Sequence, residues 1–428
     1  MQIVGRKGLV REAAHRGAPA QRRNLIAACL AHSLHDGYTD QLYALLPVWQ
    51  AQFGLSYAGL ATVRALYYGT MSGLQIPGSR ITTRFSARAA LVLSTLVAAL
   101  GFLMMALPLG FAGLCAGLVL AGAGSSIQHP RASLLVTNTY GKTSRGPLGI
   151  YNFAGDLGKA TLPAIVAVLL PVLAWRPLIG LMGLLGLAVT FGLSRLIPKQ
   201  ACSEPLAQKP PPKGRGSSGF GLLMAIGALD TAVRMGYLLF LPFLIHARGG
   251  ASATVGLGLA LLFIGGALGK VTCSWLGQRL GVIGSVIATE TATALLIAAT
   301  LFSPLTLTLA LLPVLGIVLN GTSSVLYGTV PELAPGGDAG RAFAFFYTSV
   351  SGSSGLAPIA YGAIADHSSQ TVGILAAACT AALIVPLVLA LRPALQTVGK
   401  EGEEKSGGGG SQHSILAISR ERHTEVRA

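Results

Sequence analysis

The chain contains the same short motifs twice, and both copies lie within long apolar segments. Three pairs carry the repeat: Gly155-Asp-Leu-Gly158 with Gly352-Ser-Ser-Gly355, Gly124-Ser-Ser126 with Gly321-Thr-Ser323, and Leu45-Leu-Pro47 with Phe240-Leu-Pro242. The first two pairs share one offset, and the third nearly shares it. A common offset of this kind indicates a chain built from two related halves. Two related apolar halves are typical of membrane proteins that enclose a pathway near the bilayer midplane.

The composition also favours a membrane protein. Only 11% of the residues are charged and 52% are hydrophobic, and the mean hydropathy is +0.63, whereas about a quarter of the residues of a soluble domain are charged. We predict an all-α membrane protein with twelve transmembrane helices in two six-helix pseudo-symmetric halves. The spans are expected near residues 24–46, 58–79, 88–107, 111–137, 149–172, 175–196, 221–246, 254–276, 283–303, 305–330, 342–365 and 371–391.

The predicted organisation has five parts. They are a basic cytoplasmic N-terminus (1–23), an N-terminal six-helix half (24–196), a cytoplasmic linker (197–219), a C-terminal six-helix half (220–392) and a disordered cytoplasmic tail (393–428). The linker is rich in proline, glycine and serine, a composition that does not pack a core. The tail includes Gly407 to Gly410, which resembles an engineered linker or a natural polar tail and to which we assign no function.

The formal net charge is +16, and the basic residues concentrate in alternate loops. The intervening connections carry few basic residues beyond Arg176 and Arg248. The positive-inside rule therefore predicts a multi-pass protein of the cell inner (cytoplasmic) membrane with both termini in the cytoplasm. Because the basic residues alternate with the spans, we expect contact with the lipid bilayer rather than a patch that binds nucleic acid.

Other classes of protein find little support. The first apolar segment is too long for a signal peptide and lacks a small-residue cleavage site, so we expect it to be retained as a span. The five cysteines show no CxxC spacing, and from them we expect neither a disulfide nor a metal cluster. The motifs GxxxxGK[ST], GxSxG and HExxH are absent from the sequence, so we predict no enzyme activity, no cofactor and no ATP drive.

Ionisable side chains within the first span are functional candidates, since each costs several kcal/mol in a bilayer. His32, Asp36 and Asp40 are spaced by four residues and share one helix face, and His35 is their neighbour. We predict that these four residues couple transport to protons. Asp36 or Asp40 would bind the proton, and the histidines, together with His129, would tune or relay it.

Further charged residues lie in other spans, several at a similar depth when about 1.5 Å is counted per residue. The predicted substrate-binding residues are Arg64, His129, Arg131, Asp156, Lys159, Asp230 and Arg234. Their cations suit an anionic substrate such as a phosphonate, phosphate or carboxylate. A fixed ion-pair network between helices is the alternative, and we favour it for Asp156 and Lys159, which are three residues apart on one helix.

A metal site is a further alternative for the first span. His32, His35 and Asp36 are residue types that ligate zinc or another divalent ion. The nearby arginines and lysines disfavour a cation, and we predict no metal.

Twelve spans, two halves and a basic central loop resemble the major facilitator superfamily. The loop after the second span keeps Gly78, Arg84 and Arg88 of that family's Gly-x-Leu-Ala-Asp-Arg-x-Gly-Arg-Arg motif but has Thr83 in place of its aspartate. The second half has Gln278 at the equivalent place. If the aspartate latches a closed state in the family, this chain must be latched in another way.

Within the superfamily, the chain resembles the fosmidomycin-resistance type of efflux protein. The resemblance is carried by His35-Asp36, by Gly124-Ser-Ser-x-x-His129-Pro130 and by Gly155-x-x-Gly158. The chain departs from that group at Arg131, where the group tends to carry an acid, and in the added charges Asp156 and Lys159. The resemblance implies export of a drug or drug-like metabolite.

Taken together, these features predict a monomeric secondary transporter that works by alternating access. Proton-coupled efflux of a small drug-like or anionic metabolite is the expected activity. Proton-coupled uptake of an organic anion and a non-transporting membrane sensor are the alternatives. The expected partners are a small, anionic substrate, protons and the lipid bilayer.

Overall fold

The computed structural model describes the backbone of residues 3–82, 84–198 and 219–407, and all longer elements in these ranges are helices. They are α1 (Ile3–Phe53), α2 (Tyr57–Thr82), α3 (Ala87–Ala106), α4 (Gly110–Tyr140), α5 (Arg145–Leu169), α6 (Trp175–Leu196), α7 (Phe220–Ala247), α8 (Ser252–Phe302), α9 (Leu305–Thr329), α10 (Ala339–His367) and α11 (Gln370–Gly407). Single turns of 3-10 helix follow α4 and precede α10.

Helix α8 consists of two membrane-length helices joined at a sharp turn. Gly281 has φ 69° and ψ 177° there, a conformation that is accessible mainly to glycine. Within the described ranges, this division gives twelve helices for the twelve predicted spans. The predicted boundary at Ser303-Pro304 is confirmed, because α8 ends at Phe302 and α9 begins at Leu305.

Eight segments of the described chain are long and apolar enough to cross a membrane. They are Ala87–Ala106, Gly110–Tyr140, Trp175–Leu196, Phe220–Ala247, Ser252–Cys273, Trp275–Phe302, Leu305–Thr329 and Gln370–Gln396. Helices α1, α2, α5 and α10 are not among them. All four contact the opposite half of the molecule, so part of their surface faces protein rather than lipid and can carry polar side chains.

The helices pack into two halves, α1–α6 and α7–α11. In the first half, α3 packs against α4 and α6, and α1 packs against α5. In the second half, α8 packs against α9 and α11, and α7 packs against α10. The halves meet mainly where α5 contacts α8 and α2 contacts α10. By the offset of the sequence repeat, α10 is the counterpart of α5, and the first segment of α8 is that of α2, so the two contacts are related by pseudo-symmetry.

At one end of the molecule the halves are closed. The carboxylate oxygens of Asp366 accept hydrogen bonds from the backbone N–H groups of Tyr57, at 2.8 Å, and Ala58, at 2.9 Å. These bonds cap the first turn of α2 from the opposite half. Gly256, at the same end of α8, packs against Ala164 of α5.

Toward the other end the halves separate. A cleft of about 710 Å³ lies between α2 and α10, and its walls include Gly69, Gly73, Ser351 and Gly352. Three of these wall residues, Gly69, Gly73 and Gly352, would meet nothing within 4 Å if a Cβ were added. The molecule is therefore open at the end at which α2 finishes and α10 begins.

The helices extend beyond two predicted boundaries. Helix α1 begins at Ile3, within the predicted N-terminal segment 1–23, and α11 continues to Gly407, within the segment 393–428 predicted to be disordered. The residues next to each span are rich in alanine, arginine, lysine and glutamate, which are strong helix formers, so an existing helix continues through them. The remaining tail, and all of the predicted linker except residues 197, 198 and 219, lie outside the described residues.

Candidate functional site

Close packing of α1 against α5 brings several of the predicted charged residues together. A Cβ added to Gly158 would lie 1.9 Å from the carbonyl oxygen of Ser33, and one added to Gly155 would lie 2.7 Å from Oδ2 of Asp36. Glycine at these two positions lets the helices approach until short polar side chains can meet.

Asp36 is the centre of a buried cluster of charges. Its side chain is 9% exposed, and Oδ2 lies 3.3 Å from Nε2 of His32 and 3.2 Å from Nζ of Lys159. Its Oδ1 lies 3.5 Å from Nε2 of His129. Residues of α1, α4 and α5 that were predicted from separate spans thus meet at one carboxylate. A buried carboxylate requires such partners, because isolated burial of the charge is very unfavourable.

Hydrogen bonding fixes one proton on His32. Its Nδ1 lies 2.8 Å from the backbone carbonyl oxygen of Tyr151, which can only accept, so Nδ1 carries a hydrogen. The imidazole also stacks on the Tyr151 ring, with centroids 4.0 Å apart. Nε2 can therefore donate to an ionised Asp36 only when the imidazole carries a second proton. The His32–Asp36 contact is attractive when the pair shares one proton and repulsive when that proton is absent.

A second carboxylate joins the two halves. Nζ of Lys270, on α8, donates to both oxygens of Asp156, on α5, at 2.8 and 2.6 Å. Lys159 is 3.9 Å from Asp156 but 3.2 Å from Asp36, so each member of the predicted Asp156–Lys159 pair has a closer partner elsewhere. Basic and acidic side chains therefore alternate from His32 through Asp36, Lys159 and Asp156 to Lys270.

The donor atoms of His32, Asp36 and His129 also lie within 4.8 Å of one another, a spacing that suits a metal ion. His129 here takes the place of His35 in the metal-binding alternative that the sequence raised. The ammonium of Lys159, which shares Oδ2 of Asp36, disfavours a second cation at the same oxygen. We therefore interpret these residues as an ion-pair cluster rather than a metal centre.

His35 points away from Asp36, into the interior of the first half. Its Nδ1 lies 2.8 Å from Oγ of Ser125, its Nε2 lies 3.3 Å from Oγ1 of Thr95, and it is completely buried. Adjacent residues on a helix differ by about 100° in direction, so His35 and Asp36 cannot face the same partners. The structure places this predicted proton-coupling residue in a hydrogen-bond network between helices.

Arg64 and Asp40 lie close to the contact between α1, α2 and α7. The Arg64 guanidinium lies between the rings of Tyr43 and Tyr68, 4.2 and 4.1 Å from their centroids. Cation–π contacts of this kind can hold a cation without an acidic partner. Nη2 of Arg64 lies 3.5 Å from the sulfur of Met235, which belongs to the opposite half. Asp40 is buried, and no described residue forms a hydrogen bond or ion pair with its side chain.

Asp230 and Arg234 form a second polar group within the C-terminal half. Oγ of Ser323 donates to Oδ2 of Asp230 at 3.1 Å and accepts from Nη1 of Arg234 at 3.1 Å. Glu290, which is 2% exposed, lies beside Asp230. Among the described residues, no ion pair joins this group to the cluster around Asp36.

Arg131 lies toward the cleft end of α4 and not in the cluster. Its Nε donates to Oγ1 of Thr82 at 2.9 Å, and the residue is 3% exposed. Thr82 immediately precedes Thr83, where the sequence has threonine instead of the family's aspartate and which lies outside the described residues. Arg131 therefore contacts a neutral hydroxyl at the end of α2 near this motif.

Lys270 is a site residue that the sequence prediction missed. It lies within the predicted span 254–276, so the criterion applied to the other spans, a charge in an apolar segment, also identifies it. The carbonyl oxygen of Tyr151 had no such signal, because every residue has a carbonyl and only packing shows which one orients His32.

Comparison with known proteins agrees with this architecture. The model of the family described as Major Facilitator Superfamily matches residues 28–226 and again residues 223–424. The chain is 23% identical over 360 residues to the Fosmidomycin resistance protein of Escherichia coli (strain K12), covering 80% of this chain and 86% of that protein. It is 26% identical over 264 residues to Monocarboxylate transporter 11 of Homo sapiens, covering 59% of this chain and 55% of that protein.

The fold also matches a solved structure. A bacterial homolog of the human lysosomal transporter Spinster, in an inward-facing and unoccupied conformation, superposes with a TM-score of 0.72 at 14% identity, over 89% of this chain and 98% of that one. Two successive matches of one family model account for the sequence repeat and for the two helical halves. The chain therefore belongs to the Major Facilitator Superfamily and is a membrane transporter.

Proposed function

We propose that this transporter couples proton movement to the export of a small anionic or drug-like molecule by alternating access. The observation that carries the proposal is the His32–Asp36 pair, which is attractive only with a shared proton. Lys159 contacts the same carboxylate, so protonation of Asp36 leaves the charge of the lysine less neutralised and more available to an anionic substrate. The similarity to a protein named for fosmidomycin resistance supports export.

The shape of the molecule supports alternating access. Asp366 holds one end closed, and the cleft between α2 and α10 leaves the other end open. The loop between α2 and α3, which is basic in sequence, lies at the open end. By the positive-inside rule this end faces the cytoplasm, and the state described is then open inward.

Uptake of an organic anion together with a proton is the second candidate function. Lys159 and Lys270 are 33% and 42% exposed and sit between the halves, where they suit a carboxylate. The similarity to a protein named as a monocarboxylate transporter supports this candidate.

The test is substrate-triggered proton movement in proteoliposomes, measured with a pH-sensitive dye for a panel of phosphonates, monocarboxylates and drugs. We expect the parent protein to move protons with at least one compound and Asp36→Asn to lose this movement. Protons that run opposite to the substrate indicate coupled export, and protons that run with it indicate uptake. Asp338→Asn is the control. Asp338 accepts a hydrogen bond from the backbone N–H of Arg341 at the start of α10, and it lies outside the cluster. Proton movement that is unchanged in Asp36→Asn would contradict the proposal.

A further inference from the structure

The contact between Lys270 and Asp156 ties the two halves together within the charged cluster. Lys270 belongs to α8 and Asp156 to α5, and the ammonium bonds both carboxylate oxygens at 2.8 and 2.6 Å. On its other side, Asp156 faces Lys159 at 3.9 Å. One internal carboxylate thus lies between two ammonium groups, one from each half.

We propose that Lys159 and Lys270 form a clamp for the anionic group of the substrate, and that the carboxylate of Asp156 occupies this clamp in the substrate-free protein. The inference rests on the proposed function, because it identifies the binding group for the transported anion.

The exposure of Lys159, Lys270 and Asp156 supports an exchange in which the anionic group of the substrate takes the place of the Asp156 carboxylate. Lys159 is 33% exposed and Lys270 is 42% exposed, whereas Asp156 is only 10% exposed. The two ammonium groups are therefore more accessible than the carboxylate that lies between them. The approach favours an anion and disfavours a cation.

The chemistry of the clamp indicates its ligand. Two ammonium groups bind best to a group with several oxygens that share negative charge, such as a carboxylate, phosphonate or phosphate. Replacing one carboxylate by another anion keeps both lysines paired throughout. Without Asp156, the empty protein would leave two partly buried cations with only one close acidic partner, an unfavourable arrangement in a membrane protein.

The exchange also couples occupancy to the contact between halves. When the substrate anion lies between Lys159 and Lys270, Asp156 loses its bonds to Lys270 and remains beside Lys159 on its own helix. The direct bond from α5 to α8 is then replaced by one that passes through the substrate. The halves are thereby held together differently in the empty and the loaded protein.

The experiment measures the dissociation constant of the purified protein in detergent for two probes, fosmidomycin as a phosphonate and lactate as a monocarboxylate. For at least one probe, we expect Lys270→Gln to raise the dissociation constant at least about tenfold, since a charged contact to the ligand is lost. We expect Lys270→Arg to stay near the parent value. Asp156→Asn should lower the dissociation constant, because the internal competitor is removed.

Asp366→Asn is the matched control, because Asp366 also joins the halves but bonds only backbone N–H groups. Equal effects of Asp156→Asn and Asp366→Asn would mean that the bond only ties the halves, and would overturn the clamp. An unchanged dissociation constant in Lys270→Gln would also overturn the clamp. So would the failure of both probes to bind either the parent protein or Asp156→Asn. If Lys270→Gln does not fold, two other variants decide the question. Asp156→Asn should lower the dissociation constant, and the charge-reversed Lys270→Glu should raise it. The proposed function is judged separately, by proton movement across the wider panel in liposomes.

Discussion

At the scale of single residues, sequence neighbours differ more in environment than residues one helical turn apart. His35 is adjacent to Asp36 but bonds Ser125 in the interior of the first half. His32 is four residues from Asp36 and contacts it at 3.3 Å. The backbone carbonyl of Tyr151 then fixes the tautomer of His32. His32, rather than its sequence neighbour His35, is therefore placed to share a proton with the carboxylate.

This difference predicts that His32→Gln removes proton coupling while the protein still folds. Glutamine can donate to the carbonyl of Tyr151 but cannot take up a proton near neutral pH. Substrate accumulation driven by a pH gradient should fall to the level of passive exchange, measured in proteoliposomes with the substrate found in the panel. His246→Gln is the control, since His246 bonds Gly250 at the closed end. Equal accumulation in the parent and His32→Gln would exclude His32 from coupling.

At the scale of helices, the contact between α1 and α5 sets the geometry of the cluster. Gly158 lies against the backbone of α1, while Ile150, Phe153 and Leu157 on the same helix are exposed at 56%, 61% and 52%. One face of α5 therefore carries glycine where the helices touch, and other positions carry large apolar side chains. The small residue, rather than a specific side-chain contact, allows Lys159 to reach Asp36.

We predict that Gly158→Ala destabilises the protein by about 1–3 kcal/mol, the usual cost of overpacking a tight contact. The added methyl group forces α5 away from Ser33, so substrate affinity should fall as well. Thermal unfolding in detergent and a binding assay measure the two effects.

Gly149→Ala provides the comparison on the same helix, because a Cβ at Gly149 would meet nothing within 4 Å. Alanine should be neutral there or stabilise by up to about 1 kcal/mol through its helix propensity. If both variants unfold at the same temperature, the close contact between α1 and α5 is not what holds α5 in place.

At the scale of the whole molecule, the contacts between the halves are distributed unequally along their length. Asp366 caps α2 across the closed end, Lys270 and Asp156 join α5 and α8 farther along, and the cleft beyond is lined partly by glycine and serine. Small residues on both walls leave room for α2 and α10 to approach, as the proposed alternating access requires. Such an arrangement suits two halves that rock about a central contact.

Weakening the closed end should therefore shift the molecule toward closure of the cleft. Asparagine keeps only one acceptor oxygen, so Asp366→Asn loses one of the two hydrogen bonds between the halves. The loss of one hydrogen bond costs about 0.5–1.5 kcal/mol and should change the ratio of the two states several-fold. Ile76 and Tyr347 line opposite walls of the cleft. Spin labels at these two positions, measured by pulsed electron paramagnetic resonance, should show a larger population of short distances in Asp366→Asn than in the parent protein.

Asp338→Asn is the matched control, because Asp338 caps a helix within one half. A distance distribution that Asp366→Asn leaves unchanged, or that Asp338→Asn changes equally, would show that this cap does not hold the closed end.

Much of the architecture could be predicted from the sequence because transfer into a bilayer depends on local composition. Any run of about 20 apolar residues must form its hydrogen bonds internally, so it is helical wherever it packs. The boundary at Ser303-Pro304 and the two related halves followed from such local signals. The same reasoning identified Asp36, Asp156 and Lys159, because a charge within a span stands out in the sequence.

The sequence alone thus determined the helices, their duplication and most of the charged residues that matter. Only the tertiary structure decided which charges are partners: Lys159 with Asp36, Asp156 with Lys270, and Arg131 with Thr82 instead of the cluster. Pairing depends on how helices distant in sequence are rotated and how closely they approach. Those variables are set by packing over the whole molecule, and a difference of one residue turns a side chain by about 100° toward other partners.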